Sequence, residues 1–157
     1  MDTLVNIFKA LSDKTRLRII FLLSFVENHG FKTEDEGEER TAAKPGRRLA
    51  GAGRSRVSLT AKKELCICEI MDALALAQYN ISRHVRELRF AGLVRERKEG
   101  KFVFYCLCKP GDKAHALLLK AIAGGDKEVF SRDIQRLRKR LDLRVDGKCV
   151  VGIKRCC

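Results

Sequence analysis

Apolar residues recur at helical spacing along most of this chain and at strand spacing in one basic stretch beyond its middle. Leu4, Ile7, Phe8 and Leu11 fall at i, i+3, i+4 and i+7, which predicts an amphipathic helix over 3–11. Ser12 or Asp13 can cap a second helix, whose core face is Leu17, Ile20, Phe21 and Leu23, with Lys14, Arg16 and Arg18 mostly elsewhere. From 28 to 62 the periodicity dissolves. An acidic cluster from Glu34 to Glu39 gives way to Lys44, Arg47, Arg48, Arg54 and Arg56 among glycines and a proline, which predicts a flexible insertion with one short strand at Val57 to Leu59.

The pattern returns at Leu65. Leu65, Ile67, Ile70, Met71 and Leu74 predict a helix, and Leu76 continues its face into a turn. Ile81, Val85 and Leu88 follow at i, i+4 and i+7, leaving Gln78, Tyr79, Ser82, Arg83, Arg86 and Arg89 on the opposite side. Gly92 stops that helix, and 93–97 and 102–107 read as strands around Lys98-Glu99-Gly100-Lys101. Past Pro110-Gly111, the residues Ala114, Leu117, Leu118 and Ile122 form another stripe, ended by Gly124-Gly125. Val129, Phe130, Ile134, Leu137 and Leu141 sketch a last helix with a cationic opposite face, and Val150 to Ile153 a short strand. The expected fold is mainly α with a small β-wing. Its divisions are N-terminal helices at 1–28, a flexible insertion at 29–62, a winged helix-turn-helix with a further helix at 63–123, and a basic helix with a cysteine-bearing tail at 124–157.

Charge points to the partner. The formal net charge is +13 on 157 residues, with a pI near 9.7, and a polyanion is attracted to such a chain whatever its sequence. Nucleic acid comes before a membrane surface, because no apolar run is long enough to span a bilayer and the N-terminus carries no basic-then-apolar signal. A cytoplasmic location is expected. Two short helices joined by a tight turn, the second presenting hydrogen-bonding and cationic groups, match a helix-turn-helix reading a major groove. Gln78, Tyr79, Asn80, Ser82 and Arg83 lie toward the N-terminal half of that helix, nearest to base edges, while Arg86, Arg97, Lys98 and Lys101 are placed for phosphates. The chain carries no nucleophile-base constellation, phosphate loop or catalytic zinc motif, and an enzyme is not expected.

The seven cysteines cluster as Cys66 and Cys68, Cys106 and Cys108, and Cys149, Cys156 and Cys157, which in a reducing compartment points to soft-metal or redox chemistry. The succession LSDKTRLRIIFLL, ELCICEI, LALAQYNISRHVRELRFAGLV and RKEGKFVFY resembles the arsenic-repressor (ArsR-type) family of winged-helix metalloregulators. That resemblance implies a homodimer built through the first helix and the helix near 112–123. It also implies a repressor that leaves operator DNA when arsenite, antimonite or a related soft metal binds, with Cys66 and Cys68 as thiolate ligands.

The chemistry agrees, since soft thiolates select thiophilic ions and trivalent arsenic favours three sulfurs. On a regular helix, however, residues i and i+2 point about 200° apart, so one ion can bind both only if the helix start is irregular. The family pattern offers a third cysteine where this chain has Met71. The third sulfur is expected from Cys156 and Cys157 in the tail, with Cys149 a less favoured source. Cys106 and Cys108 are expected to pack. Asp112 and His115 stand where some family members place zinc ligands, but no second histidine follows. Ala75 and Ala77 replace the turn glycine and the capping serine of relatives, so packing must hold the reading helix. Rival readings of the same cysteines are a thiol-based redox-sensing regulator and a thiol-rich metal-sequestering or architectural DNA-binding protein.

Overall fold

The computed structural model describes residues 2–29, 63–126, 128–145 and 149–150. The proposed insertion from residue 30 onward, the Val57 to Leu59 strand, Val151 to Ile153 and the tail pair Cys156 and Cys157 lie outside the described residues. Among the described residues the order is α1 (Asp2–Leu11), α2 (Lys14–His29), β1 (Leu65–Cys66), α3 (Ile67–Leu74), α4 (Gln78–Phe90), β2 (Val94–Glu99), β3 (Phe102–Leu107), α5 (Lys113–Ala123) and α6 (Ser131–Leu141). This is a winged helix-turn-helix: six helices around a small antiparallel sheet.

Helix α1 buries Ile7 and Leu11 as its stripe predicts, but Phe8 of the same stripe is 54% exposed. Asp13 caps α2 by accepting from the N–H of Arg16 at 2.9 Å. The burial of α2 is broader than one stripe: Ile19, Ile20, Phe21, Leu22, Leu23, Ser24 and Val26 are all buried. The helix is the central post of the core, packed by α1, α3, α4, α5, α6 and β3, and a helix enclosed on most sides loses its polar face.

The sheet departs from the expected two-stranded wing. Leu65 and Cys66, predicted as the first residues of a helical face, are extended instead and pair antiparallel with Tyr105 and Phe104, giving the strand order β1-β3-β2. The inner side of β3 supplies ladder partners for this backbone as it enters the core, and burial of Leu65 completes the strand. The hairpin itself runs in register from Val94↔Leu107 to Glu99↔Phe102. Its two-residue turn places Gly100 at φ +58°, a glycine-first geometry that follows the twist of the strands.

Helix α3 ends at Ala75 with φ 53° and ψ 47°, a left-handed conformation at which a Cβ is disfavoured. Helix α4 starts at Ala77 with no side-chain cap, and it is held by Ile81, Val85 and Leu88 beneath it. Asp112 caps α5 by accepting from the N–H of His115 at 2.7 Å.

The last helix, α6, packs chiefly on α3, burying Ile134, Leu137 and Leu141. Ion pairs anchor it. Arg18 of α2 grips Asp133 through two 2.7 Å hydrogen bonds, and Arg140 Nε lies 2.6 Å from Asp72 of α3. Phe130, just before α6, stacks on Phe21 with centroids 4.0 Å apart.

Candidate metal centre and nucleic-acid interface

The reading face of α4 is built as its periodicity requires. With Ile81, Val85 and Leu88 buried, Gln78, Tyr79, Asn80, Ser82, Arg83 and Arg86 are all exposed, Tyr79 to 76%. Lys98 and Lys101 are exposed at the hairpin tip, and the Lys101 ammonium sits 5.5 Å from the Phe102 ring. Arg97 is different. Its guanidinium meets Glu64 at 2.8 Å and Glu99 at 2.5 Å and lies over Phe104 at 4.8 Å, so its charge is neutralised within the sheet. These carboxylates hold the Arg97 pKa above its usual range, the hydrogen bond that Arg97 donates to Glu64 contributing most. Arg89, likewise, pairs with Glu96 at 2.7 Å. His84 is half-buried with Nδ1 3.5 Å from Asp13, which ties the reading helix to the start of α2.

The second constellation lies at the junction of β1 and α3. Cys66 is the last residue of β1 and the N-cap of α3, with φ −70° and ψ 151°, and Cys68 falls in the first helical turn. The extended backbone at Cys66 removes the 200° divergence of an intact helix. The two sulfurs consequently lie 2.9 Å apart, both side chains buried. Glu69, in that first turn, accepts from the N–H of Cys66 at 2.7 Å and holds the junction in this shape.

A third sulfur joins them. Cys149 Sγ is 3.5 Å from Cys68 Sγ, and the three ligand atoms all lie within 4.8 Å of one another, every residue buried. Sequence reasoning favoured the tail pair over this residue. The side chain arrives there because the segment after α6 is pinned by Arg144, which forms a bidentate pair with Glu69 (2.7 and 2.8 Å) and donates to the Glu64 carbonyl at 2.8 Å. The sequence signals that mark this arrangement are Arg140 and Arg144, one turn apart, opposite Asp72 and Glu69, three apart on α3.

The sulfurs share protons unequally. Hydrogen bonds from Cys149 and then Cys66, with the Arg140 guanidinium nearby, hold Cys68 down at about 3, so it is the thiolate of the cluster. The hydrogen bond from Cys149 works to lower Cys66, but its contact with Cys68 and its burial outweigh that and push it up to about 11. Cys149 is raised by its contacts with Cys66 and Cys68 and by burial. One buried thiolate flanked by two thiols is a nucleophilic, soft donor set.

The other cysteines are placed apart from this cluster. Cys106 is buried on β3 and accepts from Arg95 Nε at 2.9 Å, and Cys108 is half-buried. At Asp112 and His115 the carboxylate serves as the α5 cap, while the buried imidazole accepts from Gly111 N–H at 3.4 Å through Nδ1.

Residues 57–96 match the family described as bacterial regulatory protein, arsR family. The arsenic resistance transcriptional regulator ArsR1 of Pseudomonas putida is 37% identical over 91 residues, covering 57% of this chain and 71% of that protein. The chain belongs to the arsR family. Other members are similar over comparable stretches. ArsR2 of P. putida is 41% identical over 68% of this chain and 62% of its own length, and the arsenical resistance operon repressor of Escherichia coli 32% identical over 66% and 57%. Among solved structures, HlyU from Vibrio cholerae aligns at 27% identity over 76% of this chain and 90% of that one, with a TM-score of 0.47. As an ArsR-family protein the chain is a DNA-binding transcriptional regulator and not an enzyme. No helix among the described residues is long and apolar enough to cross a membrane.

Proposed function

We propose that this ArsR-family regulator is a cytoplasmic, dimeric repressor that holds operator DNA with α4 and the wing and releases it when arsenite, antimonite or a related soft ion binds Cys66 and Cys68. One observation carries the reading: the two sulfurs lie 2.9 Å apart at the head of α3, the helix that leads through Ala75, Leu76 and Ala77 into α4. An ion bound there acts on the first turn of a helix only eight residues long, whose far end sets the angle of the reading helix. Exposed Gln78, Tyr79, Asn80, Ser82 and Arg83 then serve base edges, and Arg86, Lys98 and Lys101 serve phosphates. Arg97 contributes less to phosphate contact than its position on the wing suggests, because Glu64 and Glu99 already engage it. Val5 and Phe8 of α1 and Leu117 of α5 are exposed at 47%, 54% and 66%, an apolar surface on the two helices suited to meeting a second copy.

The test is an operator-binding titration with arsenite on the wild-type chain, Cys66→Ser and Cys68→Ser. Wild type is expected to let go, and both variants to hold DNA at arsenite concentrations that empty the wild type. Retention of the operator by wild type in saturating arsenite overturns the proposal. A second reading, a thiol redox sensor, is favoured by the low-lying Cys68 thiolate beside Cys66. Its mark is release by peroxide or diamide that dithiothreitol reverses, with reduced protein indifferent to arsenite. A sequestering or architectural protein would bind the ion with no change in DNA affinity.

A further inference from the structure

The pair Cys66 and Cys68 leaves a trivalent ion one sulfur short, and the residue at the third family position, Met71, is a thioether buried in the core. The structure offers a different donor. We propose that Cys149, delivered by the segment after α6, is the third ligand, forming within one chain a three-sulfur site suited to a pyramidal trivalent ion such as arsenite. The proposal rests on the reading of Cys66 and Cys68 as ligands.

Three independent features converge on it. The first is position: the sulfurs of Cys66, Cys68 and Cys149 lie within 4.8 Å of one another, although 81 residues separate Cys68 from Cys149. The second is anchorage. Arg144 is held by Glu69 and the Glu64 carbonyl, and Arg140 by Asp72, so the chain on the near side of Cys149 is fastened to the same short helix that carries the other two ligands. A ligand on a fastened segment loses less freedom on binding than one on an unfastened segment, which favours the closed site. The third is coordination number. Among the described residues the cluster contains three donors, and the neighbouring Glu69 is committed to Arg144 and to the Cys66 N–H. A tetrahedral divalent ion such as zinc asks for a fourth ligand, whereas a pyramidal trivalent ion does not.

The binding step balances without an oxidant. Arsenous acid exchanges three As–OH bonds for three As–S bonds, and arsenic stays trivalent. The displaced hydroxides leave as three waters with the two thiol protons of Cys66 and Cys149 and one proton from solvent in place of the one that the Cys68 thiolate lacks. Closing the site also ties the segment at Cys149 covalently to the N-terminus of α3, adding As–S bonds to the ion pairs and the apolar packing that already join α6 to α3.

X-ray absorption at the arsenic edge tests this on the full chain loaded with one equivalent of arsenite. Wild type is expected to show three sulfurs. Cys149→Ser is expected to show two sulfurs and one oxygen and to bind arsenite at least about tenfold more weakly, the loss that follows removal of even an outer-sphere partner in metal sites. A chain ending at Arg155, lacking Cys156 and Cys157, is expected to keep three. Three sulfurs in Cys149→Ser, or loss of one in the chain ending at Arg155, overturns the assignment in favour of the tail. Mixed dimers of Cys66→Ser with Cys149→Ser separate geometry within a chain from geometry across the dimer: restoration of a three-sulfur site in the mixture overturns the intrachain site. The absence of arsenic–sulfur bonds at Cys66 and Cys68 in wild type is a different outcome, and it removes the functional reading itself. Operator binding without arsenite confirms that Cys149→Ser is folded, and cadmium competing with arsenite as an equal on wild type would overturn the preference for a three-coordinate ion.

Discussion

Replacing Arg144 by Met removes one partner of an ion pair that is almost wholly out of water, the side chains of Arg144 and Glu69 being 5% and 1% exposed. The guanidinium donates two hydrogen bonds to Glu69 and one to the Glu64 carbonyl. Without it, the Glu69 carboxylate keeps, among the described residues, the N–H of Cys66 as its hydrogen-bond donor. Breaking a buried pair from one side typically costs about 3–5 kcal/mol because the remaining charge has no compensation. Against a total stability of about 5–15 kcal/mol for a domain, such a loss moves a denaturation midpoint far enough to measure easily. The double variant Glu69→Leu with Arg144→Met removes both charges. Its cost is expected to fall to about 1–3 kcal/mol, left mainly by the unsatisfied Cys66 N–H and Glu64 carbonyl. Urea unfolding of the two single variants and the double variant closes the cycle, with a coupling of about 2 kcal/mol or more expected. A single Arg144→Met cost below about 1 kcal/mol, the range of an exposed pair, would refute the account of this contact as a buried fastening.

Ala75→Gly is expected to stabilise the chain by about 0.5–1 kcal/mol, since relief of the left-handed Ala exceeds the added freedom of an unfolded glycine, and thermal unfolding reads the shift. Ala77→Ser supplies the missing cap of α4 and is expected to add about 0.5–2 kcal/mol by the same assay. For DNA, Arg83→Ala or Arg86→Ala should weaken operator binding and lower the salt slope by about one unit where a phosphate contact is lost, whereas Arg97→Ala should lower it less because Glu64 and Glu99 already neutralise that charge. Acid should loosen the start of α2. Burial alone would raise the Asp13 pKa, but the Arg16 N–H and the charges of His84 and Arg16 lower it below 3.8, so its stabilisation is present above the unfolded value and lost as pH falls through the lower folded one. In Asp13→Asn this part of the acid dependence should disappear from a series of denaturation curves, and its persistence would show that another group carries it.

Much of the DNA-reading half was legible from spacing. The residues Ile81, Val85 and Leu88 alone assign a buried and an exposed face to α4, and Gly92 and Gly100 mark the ends of elements by conformations that suit glycine. The start of the cysteine-bearing segment differs from its sequence pattern for an equally local reason. Leu65 and Ile67 fit a helical stripe, and only the β3 edge, about 40 residues away in sequence, turns Leu65 and Cys66 into a strand. That one change turns two cysteines pointing apart into two in contact. Arg97 illustrates the same limit. Its sequence position resembles that of Lys98, yet its partner Glu64 is 33 residues distant and invisible to any window.

The sequence by itself therefore determined what depends on short-range period and composition: the helices, the basic hairpin, the exposed face of α4, the excess of positive charge and the presence of two soft donors at 66 and 68. Helical and strand periods are properties of neighbouring residues, and charge is a sum over the chain. Tertiary structure alone decided which donors meet. Cys149 reaches Cys66 and Cys68 because Arg140 and Arg144 find Asp72 and Glu69 across the α3 and α6 contact. Such pairings between distant segments depend on the packing of whole helices, and no local pattern encodes the distance between their ends.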